Sequence, residues 1–348
     1  MAAFPSTPTS FYLQQGNLQT YLSWDISTGS TSYSVLRSTD GVNFTLLANP
    51  TANNYTDAAV TVGILYYYQV AATNVSGTSP YTAPQNIVVA PVGEMSLLQI
   101  RTMSMERADR VNSQFVTIPE WNNFINQAMY ELYDLLITCY DDYFKAPSAS
   151  FIANGNQQLF PLPNGILTFI NDANQNFIAP PFYKLLGMDL ALNTSQAAWV
   201  TIDRYNFIDR NRYVYPNSSS TLYGVFNMRY RPMGTNIEMI PTPSGNQKIR
   251  IQYIPRLPVL LADTDVSTIG FSGWLQYVIV RAAKYALDKE ESATDALDQE
   301  LIYLKGRIEE TAANRDVGQA DTISDTRRGG AYGDGWWSGG VNGTSGGF

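Results

Sequence analysis

Gly63-Ile64-Leu65-Tyr66-Tyr67-Tyr68-Gln69-Val70-Ala71-Ala72 is the stretch whose reading decides the N-terminal fold. Aromatic and β-branched residues suit a pleated, half-buried surface, and successive side chains on a strand turn to opposite faces. The same alternation occurs upstream in Tyr21-Leu22-Ser23-Trp24 and in Tyr33-Ser34-Val35-Leu36, with Asp40-Gly41 marking a tight hairpin turn. Residues 1–92 are dense in Thr, Ser, Tyr and Val, and their charged residues are only Asp25, Arg37, Asp40 and Asp57. Short alternating runs separated by turn residues predict a β-sandwich.

The order of Trp24, Tyr33-Ser34-Val35-Leu36-Arg37-Ser38, Asn54-Tyr55-Thr56-Asp57, the Gly63–Ala72 stretch and Gly77-Thr78-Ser79 resembles a fibronectin type III domain. The resemblance implies that Trp24 and one tyrosine of the Tyr66–Tyr68 run fill the space between two sheets. A tyrosine hydroxyl would find a backbone partner there. Such a fold carries no information about ligand by itself.

Pro84, Pro91 and Gly93 mark a boundary after which the apolar period changes from two to three or four. Leu97, Ile100, Ala108 and Val111 share a helical face interrupted by Ser104, which predicts a helix over about 95–112 with Asn112 as its C-cap. Thr117-Ile118-Pro119-Glu120 is a capping box, and Val116 with Trp121 adds a hydrophobic staple. Phe124, Ile125, Ala128, Met129, Leu132, Leu135, Leu136 and Cys139 then continue a helix over about 118–141, ending at Asp141-Asp142.

Between about 150 and 260 the chain reads as short strands broken by Pro and Gly, a mainly antiparallel β insertion. The strands expected are Ile166–Ile170, Tyr183–Leu192, Trp199–Ile202, Tyr223–Tyr230, Ile237–Ile240 and Lys248–Tyr253. Helical spacing returns at Trp274, Tyr277, Val278, Arg281, Ala282, Tyr285 and Ala286, within about 272–290. Leu297, Leu301, Leu304, Ile308 and Ala312 form a second seam, within about 293–314, suited to antiparallel packing. Residues 329–348 are rich in Gly and carry Tyr332 and Trp336-Trp337, which predicts a flexible tail ordered by a partner. The expected chain is therefore multidomain. A fibronectin type III-like all-β sandwich (1–92) precedes an α+β domain (93–328), an antiparallel helical bundle with a β insertion, and then the tail.

The absence of histidine removes Ser-His-Asp and Cys-His chemistry and all His-based metal sites. The single cysteine, Cys139, cannot form an intrachain disulfide and reads as a buried small hydrophobe. No phosphate-loop pattern is present, so no catalytic, cofactor or metal residue is assigned and no cofactor is expected. A formal charge of −8 opposes tight binding to bulk nucleic acid. The start, Met1-Ala2-Ala3-Phe4-Pro5-Ser6, lacks the pattern of a signal peptide, and Arg281 and Lys284 interrupt the best apolar run, which predicts a protein made in the cytoplasm without a membrane role.

Residues 93–328 resemble the head-to-tail adaptor (connector) proteins of tailed phages. The matching stretches begin with Arg107-Ala108-Asp109-Arg110-Val111-Asn112-Ser113-Gln114-Phe115-Val116, Ile125-Asn126-Gln127 and Glu131-Leu132-Tyr133-Asp134-Leu135-Leu136. They continue with Phe182-Tyr183-Lys184-Leu185-Leu186-Gly187, Arg204-Tyr205-Asn206-Phe207 and Arg210-Asn211-Arg212-Tyr213. Tyr253-Ile254-Pro255, Ala282-Ala283-Lys284-Tyr285-Ala286, Lys289-Glu290-Glu291, Arg315-Asp316 and Ile323-Ser324-Asp325 complete the order. The resemblance implies a non-enzymatic virion protein at the head-tail junction, forming a ring, usually a dodecamer, that joins the portal to the tail nozzle and lines part of the DNA passage.

Its portal-docking segment would contain Arg315, Asp316, Asp325, Arg327, Arg328, Tyr332, Trp336 and Trp337. Arg204, Arg210 and Arg212 interleave with Tyr205, Phe207 and Tyr213 and are expected at a subunit interface, paired with Asp203 and Asp209 or a neighbouring copy, or facing the passing DNA in transient, non-specific contact. Asp141-Asp142, Glu290-Glu291 and Glu309-Glu310 read as solvated carboxylates, and Asp263-Thr264-Asp265 as a cap or turn. An alternative is a virion component that binds host-surface glycan through the fibronectin-like module. A third reading, a carbohydrate-active enzyme, would require one essential Asp or Glu.

Overall fold

The structure is a computed structural model that describes residues 3–16, 18–91, 93–111, 114–140, 144–192, 198–212, 228–243, 245–269 and 273–313. Eight strands come first: β1 (Tyr12–Gly16), β2 (Gln19–Ser23), β3 (Ser32–Ser38), β4 (Thr45–Ala48), β5 (Asn54–Asp57), β6 (Leu65–Asn74), β7 (Gly77–Thr78) and β8 (Gln85–Val88). One sheet runs β1-β2-β5 and the other β4-β3-β6-β7, with β8 also on β6. Every pairing is antiparallel, and this is a fibronectin type III-like sandwich.

Leu22, Trp24, Tyr33, Val35, Tyr66, Tyr68, Val70 and Ile87 form its core. Two tyrosines of the run, not one, turn inward. Tyr66 Oη accepts the Thr61 N–H at 3.0 Å, and Tyr68 Oη donates to Asp57 Oδ2 at 2.9 Å. Asp57 is 1% exposed and is also bound by Arg37 at 2.8 Å. The turn at Asp40-Gly41 is longer than a two-residue hairpin. The Asp40 carboxylate accepts the Val42 and Asn43 N–H groups and the Ser38 hydroxyl, which holds its pKa well below the usual carboxylate range.

Four α-helices follow among the described residues: α1 (Leu97–Arg107), α2 (Ile118–Cys139), α3 (Leu275–Lys289) and α4 (Asp295–Ala313). A capping box not read from the sequence starts α1, where Ser96 accepts the Gln99 N–H and Gln99 accepts the Ser96 N–H. The helix ends at Arg107, short of the expected 112. Ala108 caps it, Asp109 takes φ 54°, and the Arg110 N–H closes on Met105 O at 2.8 Å. Val111 is consequently exposed and leaves the apolar face. Glu120 accepts the Thr117 N–H at 2.8 Å at the start of α2, and Val116 and Trp121 pack in one cluster as the staple requires. Asn112, Asp141 and Asp142 lie outside the described residues.

Contacts between α2 and α3 run in opposite chain directions: Glu120 meets Lys289, and Glu131 meets Arg281 and Tyr277. These helices are therefore antiparallel. Leu97 and Ile100 of α1, Ile125, Ala128 and Leu132 of α2, Val278 and Ile279 of α3, and Ile308 and Ala312 of α4 share one core. Ala108, Trp121, Val280, Ala283, Leu297, Leu301 and Leu304 form a second.

Nine further strands lie between α2 and α3 among the described residues: β9 (Ala149–Ile152), β10 (Leu159–Pro161), β11 (Thr168–Ile170), β12 (Asn176–Ile178), β13 (Phe182–Ala191), β14 (Trp199–Arg204), β15 (Arg229–Met233), β16 (Asn236–Ile240) and β17 (Lys248–Pro255). Their order is β10-β16-β15-β14-β13-β17-β9-β11-β12. All pairs are antiparallel except β14 with β15, which meet in parallel at Asp203–Arg229 and Arg204–Tyr230. The expected Tyr223–Tyr230 strand is described only from its end, as β15, while β9, β10 and β12 were not expected. They are three or four residues long, too short for alternation to register. Ile254 and Leu257 tie the sheet to the helices by packing in the first helical core.

Removing Asp57 would leave Arg37 and the buried Tyr68 hydroxyl without their shared partner. Asp57→Ala is expected to destabilise the sandwich by about 3 kcal/mol in urea unfolding. A loss below about 0.5 kcal/mol would show that water replaces the carboxylate.

Candidate functional site

Glu131 is the busiest carboxylate on the helices. It accepts Arg281 Nε at 2.8 Å, an Arg281 Nη at 3.2 Å and the Tyr277 hydroxyl at 3.3 Å, and also bonds the Tyr285 hydroxyl. Arg281 lies over the Tyr285 ring at 4.6 Å. Burial alone would raise the Glu131 pKa, but Arg281 and the two tyrosines outweigh it and hold the carboxyl below its ordinary value. Tyr285 is pushed up to about 12 by burial and by its bond to Glu131. A carboxylate stabilised in this way is a poor base, and the geometry fixes helix register.

Other acids are engaged similarly. Arg110 Nε donates to Glu290 at 2.7 Å, Lys284 Nζ to Asp298 at 2.7 Å and Lys289 Nζ to Glu120 at 2.7 Å, while Arg107 pairs with Glu300. Glu309 lies 3.9 Å from Lys305. Asp263 binds Arg101 at 2.8 Å, and Asp265 accepts the Leu261 and Ala262 N–H groups, so this segment forms a turn. Among the described residues no three His, Cys, Asp or Glu side chains are placed to hold a metal ion. Cys139 is half-buried where burial was expected. Its thiol pKa is raised by that burial and by nearby Glu309, which disfavours the reactive thiolate.

Arg204, Arg210 and Arg212 are all exposed and lie close together in the chain, at the end of β14 and in the 3-10 turn Phe207–Arg212. Arg210 stacks over the Phe207 ring at 4.4 Å and donates to Phe207 O at 3.0 Å. Arg231 of β15 lies over the same ring at 5.2 Å, a member of the patch that the sequence reading missed. The signal available was the alternation of Arg229-Tyr230-Arg231, which places Arg229 and Arg231 on one strand face. Asp203, expected to pair with the named arginines, is instead bound by Arg229 at 2.9 Å. Phe207 is 46% and Ile208 90% exposed, so apolar surface sits among the guanidinium groups. Tyr213 lies outside the described residues, as do Arg315, Asp316, Asp325, Arg327, Arg328, Tyr332, Trp336 and Trp337.

A different surface stands out on α4. Ile302 and Tyr303 are 73% and 68% exposed, and a Cβ built on Gly306, one turn further on, would meet nothing within 4 Å. An interior helix glycine costs about 1 kcal/mol relative to alanine. Together these residues form an apolar step beside a notch.

No protein-family model matches the chain, and no curated protein matches it. Solved structures similar to it include an Fn3-like protein from Clostridium thermocellum, 31% identical, covering 26% of this chain and 96% of that one with a TM-score of 0.22. A structure named FN3tt is 19% identical and covers 25% of this chain and 97% of that one with a TM-score of 0.24. A domain of human fibronectin type III domain containing protein 3 is 23% identical, with coverages of 26% and 91% and a TM-score of 0.24. Each likeness extends over about a quarter of this chain. The fibronectin type III-like fold rests on the strand order and register described above.

Glu131 provides a pH test of the helical unit. Because its folded pKa is depressed, its stabilisation is present above the ordinary carboxylate value of 4.5 and is lost as pH falls through the folded value. Glu131→Gln is expected to cost about 2 kcal/mol at pH 7. Urea unfolding should show that gap closing below pH 4.5, and a gap of unchanged size at acidic pH would contradict the assignment.

Proposed function

We propose that the chain is a structural virion protein, a head-to-tail adaptor that assembles as a ring between portal and tail and encloses part of the DNA passage. The supporting observation is that the adaptor-like stretches, far apart in sequence, are hydrogen-bond partners. Arg110 binds Glu290, and Tyr133 Oη donates to Pro255 O at 2.6 Å. Asp134 binds Tyr183, and Glu131 binds Tyr285. Several of the described stretches that carry the resemblance are thus joined to one another by hydrogen bonds.

Within this reading the exposed Ile302–Tyr303 step is a contact between copies, since two adjacent large side chains at that exposure favour burial in an assembly. The arginines around Phe207 contact passing DNA transiently or meet a neighbouring copy. The segment bearing Trp336 and Trp337 docks on the portal, and tail proteins attach at the other face of the ring. The protein has no catalytic role and belongs to the mature particle.

Mass photometry and negative-stain imaging of the purified chain, alone and with portal, test the proposal. Rings or portal-bound complexes are expected, and a chain that stays monomeric and ignores portal would overturn it. Deleting residues 329–348 should abolish portal attachment while leaving the melting temperature unchanged. Undiminished portal affinity after that deletion would remove the docking role.

Replacing Arg204, Arg210 and Arg212 together with Ala separates their two assignments. Loss of ring assembly marks a subunit contact. Intact rings whose DNA retention at low salt loses about two to three units of salt slope mark a DNA-facing site.

A further inference from the structure

The outer face of the β1-β2-β5 sheet is polar, aromatic and free of charge. Alternation turns Leu13, Leu22 and Tyr55 towards the sandwich core and Tyr12, Gln14, Tyr21, Ser23, Asn54 and Thr56 away from it. The register places the outward set side by side: Tyr12 opposite Ser23, Gln14 opposite Tyr21, Tyr21 opposite Thr56, and Ser23 opposite Asn54. Tyr12 and Tyr21 are 62% and 38% exposed and sit on a cross-strand diagonal, a separation of about 7 to 8 Å.

None of these six side chains has a hydrogen-bond partner among the described residues, so two phenols, two amides and two hydroxyls all face outward unused. No charged side chain belongs to the face. Of the four charges in residues 1–92, Asp57 and Arg37 are paired, Asp40 organises the β3–β4 turn, and Asp25 is held by Thr9 and Ser10 beyond the end of β2.

We infer that this face is a binding site for uncharged saccharide chains, with Tyr12 and Tyr21 as the platform. A pyranose ring has one face of C–H bonds that packs on a phenol ring and a rim of hydroxyls that both donate and accept. Amides and hydroxyls of Gln14, Ser23, Asn54 and Thr56 complement that rim, because each can donate and accept in the same place. The charge-free surface matches a neutral ligand and offers nothing to an acidic polymer. The aliphatic side chains that would form the dry centre of a protein interface are on the opposite side of the sheet. The inference does not depend on ring assembly or on portal docking.

The test is affinity electrophoresis of the full chain through gels containing neutral glucan, mannan or galactan, with an array of neutral and acidic glycans beside it. Retardation by at least one neutral polymer is expected. Tyr12→Ala and Tyr21→Ala should each weaken it at least fivefold without lowering the melting temperature, and Tyr12→Phe should retain most of it. Leu46→Ala, on an exposed position of the opposite sheet, should leave it unchanged. Absence of binding to every neutral glycan, binding indifferent to both tyrosines, or binding confined to acidic glycans would each overturn the inference.

Discussion

The contact between Glu131 and Arg281 sets the frame on which the helical part of the protein depends. Apolar residues of α2 and α3 supply most of the burial, but an aliphatic seam tolerates slippage. A shift by one turn, about 5.4 Å, would move a half-buried carboxylate from Arg281 to the level of Tyr277 or Tyr285, trading its charged partner for a neutral phenol. Lys289 with Glu120 repeats the constraint towards the other end of the pair. With α2 and α3 fixed in register, α1 and α4 pack against both through residues such as Ile100 and Ile308. The sheet is suspended from the same helix, since Tyr133 of α2 binds the carbonyl of Pro255 at the end of β17.

What could be read from sequence follows the length of each repeating pattern. The Leu297, Leu301, Leu304, Ile308 and Ala312 seam spans several turns, and every member is buried as expected. The Thr117–Glu120 box was legible because its signature is local. Ser96 with Gln99 does the same work, but Gln99 is less conspicuous beside Pro91, Gly93 and Met95. The end of α1 was misplaced for a tertiary reason. Val111 continues the apolar spacing, yet Arg110 is drawn to Glu290, 180 residues away, and the chain has already turned at Asp109. Spacing cannot register a partner so distant.

The candidate surfaces divide along the same line. Arg204, Arg210 and Arg212 were visible as a local cluster, whereas Arg231 joins Phe207 only because β14 and β15 pair in parallel. Tyr12 and Tyr21 were hidden differently. Tyr21 belongs to a strand read mainly for what it buries, Tyr12 to a strand that was not expected, and their adjacency appears only once the register pairs Gln14 with Tyr21. Interior positions announce themselves by hydrophobicity. Outward positions acquire meaning from neighbours across the sheet.

Net charge and local charge have to be kept apart in this protein. The total of −8 describes the field far from the surface, which discourages adhesion to nucleic acid as a whole. Salt confines the influence of a solvent-exposed charge to about 10 Å at 0.1 M ionic strength. Within that radius, Arg210 and Arg231 on the Phe207 ring present positive charge, while Asp203 is bound by Arg229 and Glu238, cross-strand from Arg231, bonds the Tyr205 hydroxyl. The helical carboxylates are likewise occupied by Arg110, Arg281, Lys284 and Lys289. Pairing within the helices leaves the arginines around Phe207 as a local basic site on an acidic chain. Such an arrangement favours brief contact with a polyanion over retention, which is the behaviour the proposed DNA passage would require.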